Sequence, residues 1–346
     1  MNKAFSAVPV VDISPLYGTD ATAIAQTAMA LKTAASEVGF LYVTGHGLNA
    51  ARFDAMLAAT KNFFALPLDK KMQVYIGNSR NHRGYVPEGE EIFTMGTKDA
   101  KEAYDLSRDL PADDPDYRAG NPLLGPNQWP DLPDFAEAVA AYYDATVKIG
   151  RVLLRGFALA LGEPMDAFDA LLTKPPSQLR LIHYPHDPEA EDKPGIGAHT
   201  DYECFTLLRA TAPGLEVRNG AGDWIDVPPL PDAYVANIGD MLELWTNGAF
   251  VATTHRVRKV SEERYSFPLF FSLDYDTRIV PMPRFVTAQN PARPALVAGE
   301  HLFAQTAKTF AYLLERIKRG KLKLPECAVG LQSFGHSKGE GPPLTP

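Results

Sequence analysis

Leu179-Arg180-Leu181-Ile182-His183-Tyr184 is an apolar, aromatic-rich run of strand length, and it opens a series of such runs. Phe205 to Arg209, Leu215 to Arg218, Trp224 to Val227, Ala233 to Asn237, Val251 to Val257 and Tyr265 to Leu273 follow at close intervals. Short runs of β-branched and aromatic residues, separated by turn residues, predict strands, and many of them in succession predict a barrel or sandwich. Asn219-Gly220 and Asn247-Gly248 lie between runs. Both dipeptides suit the positive φ of tight hairpin turns, which predicts antiparallel pairing.

Outward from this region the pattern turns helical. On the amino-terminal side, Val8 to Ile13 reads as a strand, Ala21 to Val38 as a helix, Gly39 to Val43 as a second strand and about Ala51 to Phe64 as a helix. Gly45-His46-Gly47 closes the second strand, with His46 a turn residue rather than a ligand. Leu110 to Pro133 is dense in Pro, Asp and Gly and predicts a long loop. Phe135, Val139, Tyr142, Thr146, Ile149, Leu153, Phe157 and Leu161 recur at steps of three and four, a long amphipathic helix stopped at Gly162. A last helix, about His301 to Arg319, places Phe303, Ala307, Phe310 and Leu314 on one face. The expected architecture is one domain, 1–346, mostly β with flanking helices. It divides into an amino-terminal region of about 1–135, a β core of about 175–285 that holds the chemistry, and a carboxy-terminal helix and tail of about 300–346.

Composition narrows the function. The 346 residues are 45% hydrophobic and carry a net charge of −8, which disfavours a nucleic-acid surface that must neutralise phosphates. Small-molecule chemistry is expected instead, with no membrane partner. Cys204 and Cys327 are the only cysteines, and Cys204 sits in an apolar run that suits a buried thiol, so no disulfide scaffold is implied. No basic-then-apolar leader and no membrane-length apolar stretch occur, so a cytoplasmic enzyme is the expectation.

Within the β core, Gly197-Ala198-His199-Thr200-Asp201 spaces an imidazole and a carboxylate by two. On extended chain both side chains face one way. His255, in Thr254-His255-Arg256-Val257, supplies a second imidazole after a predicted hairpin. Two His and one Asp on one metal face leave other positions open, as Fe(II) oxygen chemistry requires. The same donors would also serve a Zn(II) hydrolase, or form only a local turn. Arg264 and Ser266 repeat the spacing of two, giving a guanidinium and a hydroxyl on one face suited to a carboxylate. A surface Arg264 paired with Glu262 or Glu263 is the competing reading.

A His-x-Asp, a distant His and then an Arg-x-Ser resemble the isopenicillin N synthase-like branch of the Fe(II)/2-oxoglutarate oxygenases. The resemblance runs nearly from end to end, through Val10-Val11-Asp12, Gly39-Phe40-Leu41-Tyr42, Phe63-Phe64-Ala65-Leu66-Pro67, Arg83-Gly84-Tyr85, Gly125-Pro126-Asn127-Gln128-Trp129-Pro130 and Asn237-Ile238-Gly239-Asp240. It implies a double-stranded β-helix, or jelly roll, flanked by helices. It also implies Fe(II) on His199, Asp201 and His255, and 2-oxoglutarate held by Arg264 and Ser266, with Tyr184 against the oxoacid or the prime substrate. O2 would then oxidise a small molecule, typically by hydroxylation, with release of succinate and CO2. Arg83, Tyr85, Phe205 and Trp245 are the substrate-contact candidates by position.

Alternatives remain at this point. Isopenicillin N synthase itself works without 2-oxoglutarate, but its substrate-gripping arginine falls at His82 here, and the tyrosine after its Gly-Tyr pair is Val86. Aminocyclopropane carboxylate oxidase and ethylene-forming enzymes share parts of the pattern. A non-catalytic oxoacid sensor would keep the pocket without turnover. The loop after Leu110 and the last helix are the two candidate lids.

Overall fold

The computed structural model describes residues 4–91, 101–186, 194–258 and 261–325. Cys327 and the end of the expected carboxy-terminal tail lie outside them. The described helices are α1 (Ala21–Glu37), α2 (Ala50–Phe64), α3 (Leu68–Lys71), α4 (Pro115–Arg118), α5 (Phe135–Ala160), α6 (Asp240–Trp245), α7 (Ala298–Thr309) and α8 (Ala311–Lys318). The strands are β1 (Val10–Asp12), β2 (Phe40–Thr44), β3 (Gly84–Val86), β4 (Glu102–Leu106), β5 (Gln178–Tyr184), β6 (Pro194–His199), β7 (Phe205–Ala210), β8 (Leu215–Arg218), β9 (Trp224–Asp226), β10 (Tyr234–Ile238), β11 (His255–Arg258) and β12 (Arg264–Phe271). A further two-residue pair joins Arg278–Ile279 to Leu296–Val297.

Eight strands form one sheet in the order β1-β2-β10-β7-β12-β5-β4-β3, and four form a second in the order β6-β11-β8-β9. All pairs are antiparallel except β1 with β2. This is the jelly-roll arrangement, and among the described residues the sheets do not close into a barrel.

Parity along β12 sets what each face does. Tyr265, Phe267, Leu269 and Phe271 enter the core beneath the helices, whereas Arg264, Ser266, Pro268 and Phe270 line a cavity. Helix α5 lies on the core face. Its Phe135, Val139, Tyr142, Ile149, Leu153 and Phe157 are buried at the expected spacing, and each such large apolar side chain contributes about 1.5–3 kcal/mol by burial. Gly150 lets the helix approach β12, because a Cβ there would come within 2.3 Å of the Phe271 ring. The helix stops in a Schellman turn: Gly162 takes φ +76°, its N–H donates to Leu159 O, and Glu163 N–H donates to Ala158 O.

Several local expectations need correction. Asn219-Gly220 does lie between antiparallel strands, β8 and β9, but the turn spans residues 219–223. Its positive φ falls at Gly222, while Asn219 Oδ1 accepts from the Ala221 and Asp223 N–H groups. The asparagine therefore builds the turn through its side chain. Asn247-Gly248 has the positive φ values but ends helix α6, with Asn247 N–H donating to Leu244 O and Gly248 N–H to Glu243 O. The run expected from Val251 becomes strand only at His255.

The last helix is two helices. Phe310 between them has φ −101° and ψ 125° and bridges to Glu91, while Ala311 N–H donates to Glu90 O. An extended residue cannot continue a helix, so Leu313 rather than Leu314 becomes the buried position of α8.

Candidate active site

His199 and His255 are cross-strand partners in β6 and β11. Asp201, just past β6, turns one carboxylate oxygen between them: its Oδ1 is 3.6 Å from His199 Nε2 and 3.6 Å from His255 Nε2. One donor atom from each residue lies within 4.8 Å of the other two. The opposite atoms of all three side chains are already committed. His199 Nδ1 meets Gly197 O at 2.8 Å and His255 Nδ1 meets Thr253 O at 3.2 Å. A carbonyl only accepts, so each Nδ1 carries a proton, which leaves the two Nε2 atoms turned toward Asp201. Asp201 Oδ2 accepts from Thr206 Oγ1 and, at 2.6 Å, from Asn237 Nδ2, which leaves Oδ1 for a cation.

Electrostatics agree with a metal-ready triad. Burial, and then the neighbouring His255, push His199 down to about 4, so its imidazole is neutral at pH 7. Burial pushes the Asp201 carboxyl up, but the two histidines and the Thr206 and Asn237 hydrogen bonds outweigh it and hold the group below the ordinary carboxylate value. Gly239 has no room for a side chain, since a Cβ would sit 2.2 Å from Glu203 O; there the loop carrying Asp201 crosses the start of α6.

The cavity of about 100 Å³ beside the triad has two ends defined by strand register. Arg264 pairs with Tyr184 at one end, and Phe270 pairs with Gln178 at the other. Arg264 is buried, donates Nε–H to Ala212 O at 3.1 Å, and lies over the Tyr184 ring at 4.9 Å. Its Nη1 has no hydrogen-bond partner among the described residues. Glu263 pairs with His183 and Tyr265 instead, so Arg264 is not a surface ion-pair residue. Ser266 shares the cavity face, and His183 points to the other side of β5, as its parity requires. A buried guanidinium without an acidic partner among the described residues, lining a cavity with a metal-ligating triad, fits an anionic co-substrate.

The four substrate-contact candidates lie outside this cavity. Arg83 is buried in a loop, donating to Asn81 O, His82 O and Leu123 O. Tyr85 donates to Glu102 and packs in the core. Phe205 stacks on Phe271 beneath the sheet, and Trp245 packs on Phe168. The cavity lining includes His82, Glu91, Gln178, Arg180, Tyr202 and Phe310, none of which was expected from the sequence as a site residue. Arg180 forks onto Asp105 at 2.7 and 2.8 Å and donates Nη1–H to Glu91 at 2.9 Å, and Lys101 meets Glu91 at 3.1 Å. The signal for Gln178 and Arg180 was present as even-numbered spacing from Tyr184 along β5. Of the two lid candidates, the carboxy-terminal helices line the cavity through Leu302, Thr306 and Phe310, and the loop after Leu110 does not.

A His, Asp, His face beside a buried arginine in a jelly roll defines the class of non-haem iron oxygenases that take an oxoacid co-substrate. Comparison with known proteins agrees. Residues 8–132 match the amino-terminal family model of the non-haem dioxygenases in morphine synthesis, and residues 175–273 match the 2OG-Fe(II) oxygenase superfamily. The chain is 33% identical over 339 residues to the 2-oxoglutarate-Fe(II) type oxidoreductase hxnY of Emericella nidulans, covering 93% of this chain and 97% of that one. It is 34% identical over 329 residues to a homoarginine-6-hydroxylase of Oryza sativa subsp. japonica, covering 90% and 99%. Among solved structures, a 2OG-Fe(II) oxygenase family protein from Caulobacter crescentus superposes with TM-score 0.75 at 34% identity, covering 92% and 100%. A full-length Neurospora crassa protein solved in complex with alpha-KG and thymine superposes with TM-score 0.75 at 25% identity, covering 89% and 98%.

The chain belongs to the isopenicillin N synthase-like family of Fe(II)/2-oxoglutarate oxygenases. It is a non-haem iron, 2-oxoglutarate-dependent dioxygenase that oxidises a small-molecule substrate with release of succinate and CO2. An oxoacid-independent oxidase, a zinc hydrolase and a non-catalytic sensor are not favoured beside such relatives.

Proposed function

We propose that His199, Asp201 and His255 hold Fe(II), that Arg264 and Ser266 hold the far carboxylate of 2-oxoglutarate with Tyr184 alongside, and that the prime substrate occupies the Gln178–Phe270 end. The observation carrying this reading is that buried Arg264 and Ser266 line the same cavity as three convergent donor atoms. When bound, iron and the oxoacid supply the oxidising chemistry. The chain supplies placement. Nδ1–H donation to Gly197 and Thr253 orients both imidazoles, and Thr206 and Asn237 fix the Asp201 carboxylate. The Arg264 fork sets the depth of the oxoacid, and Leu302, Thr306 and Phe310 contribute to the cavity wall.

The substrate is a small polar, nitrogen-bearing molecule. Gln178 in the cavity lining supports this, as do the amino acid in the rice relative's name and the thymine in complex with the Neurospora protein. The net charge of −8 supports an enzyme that binds neither nucleic acid nor an anionic membrane surface. No described helix is long and apolar enough to cross a membrane, and the two cysteines suit a cytoplasmic setting.

The test is succinate formation by Fe(II)-loaded protein across a panel of amino acids, guanidino acids and pyrimidines. Succinate tied to oxidation of one of them, and lost in Arg264→Ala, is the expected result. Equal turnover in Arg264→Ala would remove the assigned oxoacid anchor.

A further inference from the structure

Arg264 is the first residue of β12, and its register partner Tyr184 is the last of β5. Register pairing of β12 with β7 starts only at Ser266. The oxoacid anchor therefore stands on a strand end, where a ladder frays most readily. Two local ties hold the backbone there: Tyr265 N–H donates to Thr211 Oγ1, and His186 Nδ1 meets Ser261 O.

On the opposite face of the sheet, one side chain joins three strands at this end. His183 pairs in register with Glu102 of β4 and with Tyr265 of β12. Its Nδ1 lies 2.9 Å from Glu102 Oε1, and its Nε2 lies 3.0 Å from Glu263 Oε1. Carboxylate oxygens only accept, so the ring donates from both nitrogens. Glu102 is a fixed post, because Lys71 Nζ and Tyr85 OH each donate to its other oxygen at 2.6 Å. Glu263 is half exposed, and its carboxylate is drawn onto the sheet by His183 and by Tyr265 OH, which donates to the same oxygen at 3.0 Å. The Tyr265 ring stacks on His183, with centroids 4.7 Å and planes 12° apart.

Residues 263 and 265 are thus both held on the helix-covered side of the sheet. Side chains alternate along extended chain, so this directs residue 264 to the cavity side. A guanidinium fork grips a carboxylate through two parallel N–H groups, and its grip depends on direction. We propose that His183 is a positioning residue for the oxoacid: by tying Glu263 to Glu102 across β5, it fixes the direction in which Arg264 leaves the strand. The inference rests on the oxoacid site proposed above. His183 does not line the cavity, and the metal triad stands on the other sheet and the loop after it, so iron binding is independent of this tie.

The experiment titrates 2-oxoglutarate anaerobically into the full-length, Fe(II)-loaded protein and reads the visible charge-transfer absorption, with Fe(II) affinity measured separately on the apoprotein. His183→Phe keeps a ring against Phe64 and Tyr265 and removes both hydrogen bonds. Glu263→Ala, at a half-exposed position that the fold tolerates, removes the far partner alone. Each is expected to weaken oxoacid binding about tenfold with Fe(II) affinity unchanged. Glu263→Gln, whose amide oxygen still accepts, is expected to restore most of the loss. Unchanged oxoacid affinity in either variant, a Glu263→Gln protein no better than Glu263→Ala, or an equal fall in Fe(II) affinity overturns the assignment. Absence of the absorption in the unsubstituted protein overturns the oxoacid site itself, so the two failures are distinguishable.

Discussion

His199 and His255 stand directly opposite each other across the β6–β11 pair, with ring centroids 4.3 Å apart. Each imidazole has its Nδ1 tied to a carbonyl. The arrangement is built for a cation between the two Nε2 atoms and Asp201 Oδ1.

The supports of Asp201 are therefore expected to tune iron affinity. Asn237→Ala removes the 2.6 Å hydrogen bond to Oδ2 and frees the carboxylate to rotate. Loss of an outer-shell partner of this kind weakens metal binding by roughly 10–100-fold. Fe(II) titration of the folded apoprotein checks this; an unchanged affinity would mean that Thr206 alone fixes the carboxylate.

Arg264→Lys should not rescue the anchor. Lysine keeps one charge but loses the planar fork and the hydrogen bond from Nε to Ala212 O. The expected result is a rise in the KM for 2-oxoglutarate of about 10–100-fold, matching loss of a charged hydrogen bond worth about 1.5–3 kcal/mol, with Fe(II) affinity retained. Steady-state kinetics with the oxoacid as varied substrate measures it.

Glu91 should give acid lability. Burial pushes its carboxyl up, but Arg180 and Lys101 outweigh that and hold it down at about 2, below its ordinary 4.5. A depressed carboxyl contributes stability above its unfolded value and loses it as pH falls through the folded one. That contribution, on the order of 3 kcal/mol, is expected to disappear between about pH 4.5 and 2. Glu91→Gln should be less stable at neutral pH and flatter across that window, as read by denaturant unfolding at several pH values. Parallel pH profiles for the two proteins would contradict this account.

Gly239→Ala is expected to destabilise the fold and loosen iron together, because the added Cβ would meet Glu203 O at 2.2 Å in the loop bearing Asp201. Thermal unfolding of the apoprotein and Fe(II) titration are the two readouts. A shift in stability alone would separate packing here from the metal site.

Much of this architecture was legible where periodicity and chemistry coincide. The spacing of two in His199/Asp201 and Arg264/Ser266 brings both members of each pair to one cavity, and the turn-forming Gly162 closed α5 as expected. Parity failed where both faces of a strand are apolar. In β7, Phe205 enters the core while Thr206 faces the cavity, and hydrophobicity cannot tell the two faces of a doubly covered sheet apart. Arg83 shows the opposite limit. A lone loop arginine gives no sign that carbonyls of residues 81, 82 and 123 will enclose it. The break at Phe310 was also hidden, because it depends on pairing with Glu91, far away in sequence.

The central claim is that one cavity holds Fe(II) on His199, Asp201 and His255 and 2-oxoglutarate on Arg264. Anaerobic equilibrium titration of the purified protein with Fe(II) and then 2-oxoglutarate tests it directly through the visible metal-to-ligand charge-transfer band. The account predicts a band that needs both additions, is absent in His255→Ala and weakens in Arg264→Ala. Bound iron with no band on addition of 2-oxoglutarate, or a band indifferent to Arg264, would contradict it.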